Sequence, residues 1–218
     1  MKETLVKDID GNSYKTVKIG EQIWMAENLK VTHYRNGDPI PNLTDENDWE
    51  NTEQGAYCNY DNNEDNVETY GRLYNWYAVD DKRGLAPRGW HIPTDDEIKE
   101  LEIYLGLSQS DADDTDYRGT NEGSKLAGGD DLWIYGRLDG ALVKTPEFGT
   151  SGFDFLPGGY RGGNSGSYYG MGSGGYFWSS TEDNNGKGWY RNLFCNSSEV
   201  YRFSRNKNYG FSVRCIRD

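Results

Sequence analysis

Apolar and polar positions in this chain mostly alternate at strand spacing, and one stretch carries a clear helical pattern. In "HIPTDDEIKELEIYLG", Ile98, Leu101 and Leu105 fall on one face. Thr94 stands where an N-cap belongs, with Glu97 as its capping-box partner, and Asp95 and Asp96 suit the positive end of the helix dipole. Gly106 ends the pattern, so the spacing predicts a helix over 95–105. Residues 4–31 read as an opening pair of strands turning at Asp10-Gly11, followed by a segment that buries Ile23, Trp24, Met25 and Leu29. In "YGRLYNWYAV", Leu73, Trp76 and Tyr77 sit at the spacing of one apolar helix face. Ser124–Ala127 suggests one further helical turn, and residues 128–175 read as Gly-punctuated loop and short strand.

After Tyr176 the pattern becomes that of strands. "GWYRNLFC" runs into a turn near Asn196–Ser198, and "EVYRFSR" alternates Val200 and Arg202 against Tyr201 and Phe203. Phe211, Val213 and Cys215 then share a face, so an antiparallel meander is expected at the C-terminal end. Of the chain's 31 aromatic residues, 15 lie between Phe153 and Phe211, interleaved with Gly, Ser, Asn and Arg. That mixture suits a rigid scaffold presenting a polar, aromatic surface.

Length and charge narrow the classes. With 218 residues and neither internal repeat nor flexible linker, the chain reads as one domain, 1–218. A net charge of −13 argues against nonspecific binding to nucleic acid or anionic membrane. The charge is uneven: residues 38–68 hold ten acids and no base, whereas seven bases stand against three acids from Asp183 onward. No apolar run is long enough to span a membrane and no export signal follows Met1, although a chain trimmed of such a signal reads the same.

Candidate chemistry adds little. Three cysteines show no CxxC spacing, and they are compatible with one disulfide plus a free thiol or with three buried thiols. No cofactor is expected. The only metal candidate is calcium, for which "DNNEDN" (Asp61–Asn66) has dense oxygens; a hydrated acidic loop is the preferred reading. Asp8, Asp10 and Asn12 have the spacing that opens a calcium loop, but the twelfth position is Ile19, so a turn is expected. His33 falls in a loop and His91 reads as structural, Ser179 and Ser180 lack a nucleophile elbow, and "GGYRGGNSGSYYG" lacks the Lys-Ser/Thr of a phosphate loop. In "WSSTE", Trp178 is expected in the core, with Ser180 or Thr181 capping a turn.

Seven blocks in order, "DIDGNSYKTVKIGEQIWMAENL", "GAYCNY", "YGRLYNWYAV", "GLAPRGWHIPTDDEIKELEIYLG", "FLPGGYR", "WSSTE" and "GFSVRCIRD", resemble the Fibrobacter succinogenes major paralogous domain over nearly the whole chain from Asp8. More distantly, Pro93-Thr94, Gly158–Arg161 and Gly210–Arg214 are similar to the formylglycine-generating-enzyme type of C-type-lectin fold. The resemblance implies an α+β C-type-lectin-like domain in which small helices pack on a twisted antiparallel sheet and long loops carry function. It also implies a secreted or lipid-anchored bacterial surface protein, hence an extracellular location. The oxidase activity of the distant relatives needs two neighbouring C-terminal cysteines, which Cys195 and Cys215 are not. Cys58 and Cys215 fall where the family carries Cys, so the resemblance implies a Cys58–Cys215 disulfide with Cys195 free.

The function expected from these readings is noncatalytic binding of a glycan or protein on a cell surface. The candidate face comprises Tyr168, Tyr169, Trp189, Tyr190, Arg191, Asn192, Tyr201, Arg202, Arg205, Asn206 and Asn208, because aromatic rings give area and polar tips give direction. Alternatives are the variable target of a diversity-generating retroelement, with Asn-rich positions on that face, a carbohydrate-active enzyme, and a structural adhesin subunit.

Overall fold

The computed structural model describes residues 5–134 and 142–218. The N-terminal hairpin and its neighbour are β1 (Leu5–Lys7), β2 (Ser13–Ile19) and β3 (Gln22–Met25). The turn before β2 is built by Asp8, whose carboxylate accepts from the backbone N–H of Asp10 and Asn12, the Asn12 amide and the Tyr14 hydroxyl. Next come α1 (Glu46–Asn51), β4 (Tyr57–Cys58), α2 (Val67–Tyr70), β5 (Leu73–Tyr74) and α3 (Trp76–Val79). The continuous helix face expected from Leu73 to Tyr77 is therefore broken. Gly71, at φ +75°, leaves α2, Leu73 and Tyr74 pair with β4, and Asn75 caps α3 through Ala78 N–H.

The chain continues through β6 (Trp90–His91), α4 (Asp95–Leu105), α5 (Gln109–Asp113), β7 (Asp116–Arg118) and α6 (Glu122–Leu126). Helix α4 has the bounds its sequence predicts. Thr94 Oγ1 accepts from Glu97 N at 3.2 Å and Glu97 Oε2 accepts from Thr94 N at 2.8 Å, a capping box worth about 1 kcal/mol. A third partner comes from the "WSSTE" stretch, where Thr181 Oγ1 accepts from Asp95 N. The single further turn expected at Ser124–Ala127 lies within α6 and its end. Of the stretch 128–175, residues 135–141 lie outside the described residues; the rest holds β8 (Gly158–Arg161), β9 (Tyr168–Met171) and short turns.

The meander follows as β10 (Gly174–Glu182), β11 (Gly188–Phe194) and β12 (Val200–Arg205), and β13 (Ile216–Arg217) closes the chain. A six-stranded sheet runs β7-β12-β11-β10-β8-β9, and a five-stranded sheet runs β1-β2-β3-β13-β6. The last strand thus joins the N-terminal sheet, with Ile216 opposite both Trp24 and His91. The result is a sheet-rich α+β fold with short helices.

One core cluster lies under α4, where Ile98 and Leu101 meet Trp24, Phe153, Phe155, Phe177 and Leu193. Each fully buried aliphatic side chain contributes about 1.5–3 kcal/mol. A second cluster gathers Trp76, Trp178, Tyr190, Phe211 and Val213, and a third Trp49, Cys58 and Leu73. The segment Phe211–Cys215 is buried on both faces, so Ser212 and Arg214 are also inside. Arg161 and Arg214, which carry two of the recognisable sequence blocks, are structural. Arg161 donates to the carbonyls of Leu43, Thr44, Asp45 and Gly166 and stacks on Trp49. Arg214 donates to Asn28 Oδ1 and the Phe153 carbonyl, and burial lowers its pKa to about 9.

The expected Cys58–Cys215 disulfide is not formed. Cys58, Cys195 and Cys215 are all free and buried, and each belongs to a different core cluster. Cys58 is placed by β4 pairing with Leu73, whereas Cys215 is carried across to β3, where its carbonyl accepts from Met25 N.

Candidate functional site

The two faces of the six-stranded sheet do different things, and the strand register decides which side chain goes where. Tyr176 lies opposite Asn192, Asn192 opposite Tyr201, and Tyr201 opposite Tyr117, so one row crosses β10, β11, β12 and β7 on one face. The neighbouring row, Phe177, Arg191 and Arg202, points to the other face because successive strand residues alternate.

On the first face the row opens into a pocket of about 330 Å³. Tyr190 comes from the next pair position on β11, Tyr160 from β8, Tyr209 and Phe211 from the segment after β12, and Arg205 from the end of β12. The rings form a continuous wall. Tyr160 and Tyr176 have centroids 4.7 Å apart, Tyr176 and Phe211 stack at 5.4 Å, and Tyr117 meets Tyr201 edge-on at 5.0 Å. Behind the wall the sheet lies close against the α4-side core: a Cβ on Gly175 would sit 2.5 Å from the Phe155 ring.

Burial raises the pKa values of the Tyr160, Tyr176 and Tyr190 hydroxyls, with neighbouring tyrosines adding to the effect and Arg205 opposing it. Neutral phenols can each donate and accept. The hydroxyls of Tyr117, Tyr160, Tyr176 and Tyr209 make no hydrogen bond among the described residues, so their hydrogen-bonding capacity is open to the pocket and to solvent. Arg205 is exposed at the rim and reaches no carboxylate among the described residues. Asn192 is held by two Nδ2 bonds, to Gly175 O at 2.9 Å and Leu193 O at 3.0 Å.

The opposite face carries a buried ion-pair chain. Arg118 and Arg191 both donate to Glu102, Arg191 also reaches Asp95 Oδ1 at 2.7 Å, and Arg202 reaches Asp95 Oδ2 at 2.6 Å. Burial acts to raise the pKa values of Asp95 and Glu102, but the guanidinium groups outweigh it and hold both low. These charges clamp α4 to the sheet.

Of the residues expected to form the binding face, Tyr190, Asn192, Tyr201 and Arg205 line the pocket. Tyr169 flanks it by stacking on Tyr160 at 5.4 Å. Arg191 and Arg202 do not belong there: they are buried on the α4 side, and Trp189 is with them, its ring 3.8 Å from the Arg202 guanidinium. Tyr168 is turned toward Tyr60 and donates to Asn62. Asn208 donates to the carbonyls of Glu50 and Gly163, and Asn206 is exposed in the turn after β12 without lining the pocket. Tyr117, Tyr160, Tyr176, Phe194, Tyr209 and Phe211 complete the lining and were not singled out from the sequence.

Other candidate chemistry is occupied by structure. His91 bridges Asp218 and Glu97, His33 meets Asp10, and Ser180 donates to the Pro93 carbonyl. In the Asp61–Asn66 loop, Glu64 pairs with Arg72, Asn63 caps Asp65, and Asn66 donates to Tyr60 O. Among the described residues no group of three or more His, Cys, Asp or Glu side chains could hold a metal ion, and no helix is long and apolar enough to cross a membrane.

Fold and site together define a sheet-rich α+β domain carrying an aromatic pocket on its C-terminal sheet. The chain belongs to the Fibrobacter succinogenes major domain family, whose model matches residues 17–217. Comparison with curated proteins and with solved structures returns no match.

Proposed function

We propose that this chain is a noncatalytic glycan-binding module of a secreted or surface-attached bacterial protein, built as a C-type-lectin-like domain, with the tyrosine pocket as its site. The observation that carries the reading is the convergence of six tyrosines on one cavity, with four of their hydroxyls unpaired among the described residues. Sugar rings present C–H faces that pack on aromatic rings and hydroxyls that need both donors and acceptors, and neutral tyrosines supply each. Binding is favoured over hydrolysis because no carboxylate among the described residues lines the pocket, whereas glycoside hydrolysis uses two.

A glycan array probed with the folded protein, followed by titration of the best ligand, tests the proposal. Wild-type protein is expected to bind a defined set of glycans, and Tyr201→Ala to weaken that binding about tenfold, in line with an aromatic contact. Absence of glycan binding, or equal binding by Tyr201→Ala, overturns it.

A further inference from the structure

A second cavity lies far from the tyrosine pocket in sequence, at the junction of the N-terminal hairpin with the loop before β6. It measures about 330 Å³, within the range of small-ligand sites. Its floor is apolar, formed by Val31, Leu85, Ala86 and Pro87, and its rim carries Lys7, Arg35 and Arg88. All three cations are exposed, and none reaches a carboxylate among the described residues. In a chain with 36 acids against 23 bases, unpaired cations collected around one apolar floor call for a ligand.

The nearby acids are already committed. Asp8, which also lines the cavity, receives four hydrogen bonds from Asp10, Asn12 and Tyr14. Asp10 holds Thr32 and His33, and Asp81 holds Arg83. Arg35 is pre-positioned: Nε donates to Ala86 O at 2.8 Å and Nη2 to Trp90 O at 3.1 Å, leaving Nη1 without a partner among the described residues. A fixed guanidinium loses little entropy when it takes up an anion.

We infer that this cavity binds a small carboxylate with an apolar body, the body on the Val31–Pro87 floor and the carboxylate against Arg35 and Arg88. A phosphate or sulfate would satisfy the rim and leave the floor unused, while a neutral apolar molecule would leave the cations unpaired.

Calorimetric titration with 3-phenylpropionate, 3-phenylpropan-1-ol and inorganic phosphate tests the assignment. The carboxylate is expected to bind at least tenfold tighter than either comparison compound, and more weakly as salt rises. Arg88→Ala removes an exposed side chain that makes no hydrogen bond or ion pair among the described residues. It should weaken 3-phenylpropionate about tenfold, as loss of a charged hydrogen bond does, while leaving glycan binding at the tyrosine pocket unchanged. Equal binding of acid and alcohol, preference for phosphate, an unaffected Arg88→Ala variant, or no binding of the acid at millimolar concentration each overturns it. Because glycan binding is read separately, failure here leaves the tyrosine pocket standing.

Discussion

Glu102 Oε1 lies 2.7 Å from Arg191 Nε, and neither side chain is exposed at all. This contact joins α4 to the back of the sheet whose front is the tyrosine pocket, and it is the centre of a run of alternating charges, Arg118, Glu102, Arg191, Asp95 and Arg202. Removing one member leaves a buried charge without its partner, which typically costs about 3–5 kcal/mol. Glu102→Gln should therefore lower the urea midpoint markedly with the denaturant slope unchanged. A midpoint equal to wild type would show that the pair does not hold the helix.

Acid should unfold the protein through the same charges. Asp95 and Glu102 have folded-state pKa values below their ordinary 3.8 and 4.5, since the arginines outweigh the cost of burial. Their contribution is complete above those ordinary values and is lost as pH falls through the folded ones. The share of the melting temperature that these two carboxylates supply should be constant above about pH 5 and fall steeply below about pH 4. Asp95→Asn should start lower and fall less; parallel curves for the two proteins would contradict the assignment.

His91 should work in the opposite direction. Burial acts to lower its pKa, but hydrogen bonds to Asp218 and Glu97 override it and the value is raised above 6.5. A raised histidine stabilises fully below its ordinary value and ceases to do so as pH rises through the folded one. Stability should decline from pH 6 to pH 8.5 in wild type, and this component should be missing in His91→Gln, measured by urea midpoints. A decline of the same size in both would place its origin elsewhere.

Three thiols should be countable. Burial pushes the Cys58 thiol up to about 11 and raises Cys195 and Cys215 as well, so the native protein should react slowly with iodoacetamide. In denaturant without reductant, the mass should increase by three carbamidomethyl groups. An increase of one would restore a disulfide.

The sequence announces α4 through its capping box and apolar stripe, and the meander through alternation, because both signals are local. It conceals the side of the sheet on which Arg191 and Arg202 lie. Arginines in strands are ordinarily read as outward, yet Arg202 alternates in phase with Val200, and both are buried. A matching signal sat in the helix: Asp95, Ile98 and Glu102 share the stripe that Leu101 also buries, placing two carboxylates where arginines must meet them. The pocket was half legible. Tyr190, Asn192, Tyr201 and Arg205 lie on the late strands, whereas Tyr117 and Tyr160 reach it by register with β7 and by the β8 crossing beside β10. Pairings between distant segments leave no periodicity to read.

The tyrosine pocket itself is tested most directly by ring-labelled tyrosine NMR, with assignments from Tyr→Phe variants, while the best array glycan is added. Resonances of Tyr117, Tyr160, Tyr176, Tyr190, Tyr201 and Tyr209 should shift together, and that of Tyr104, exposed on α4, should stay fixed. Shifts confined to tyrosines outside this set, or no shifts at saturating glycan, would contradict the account.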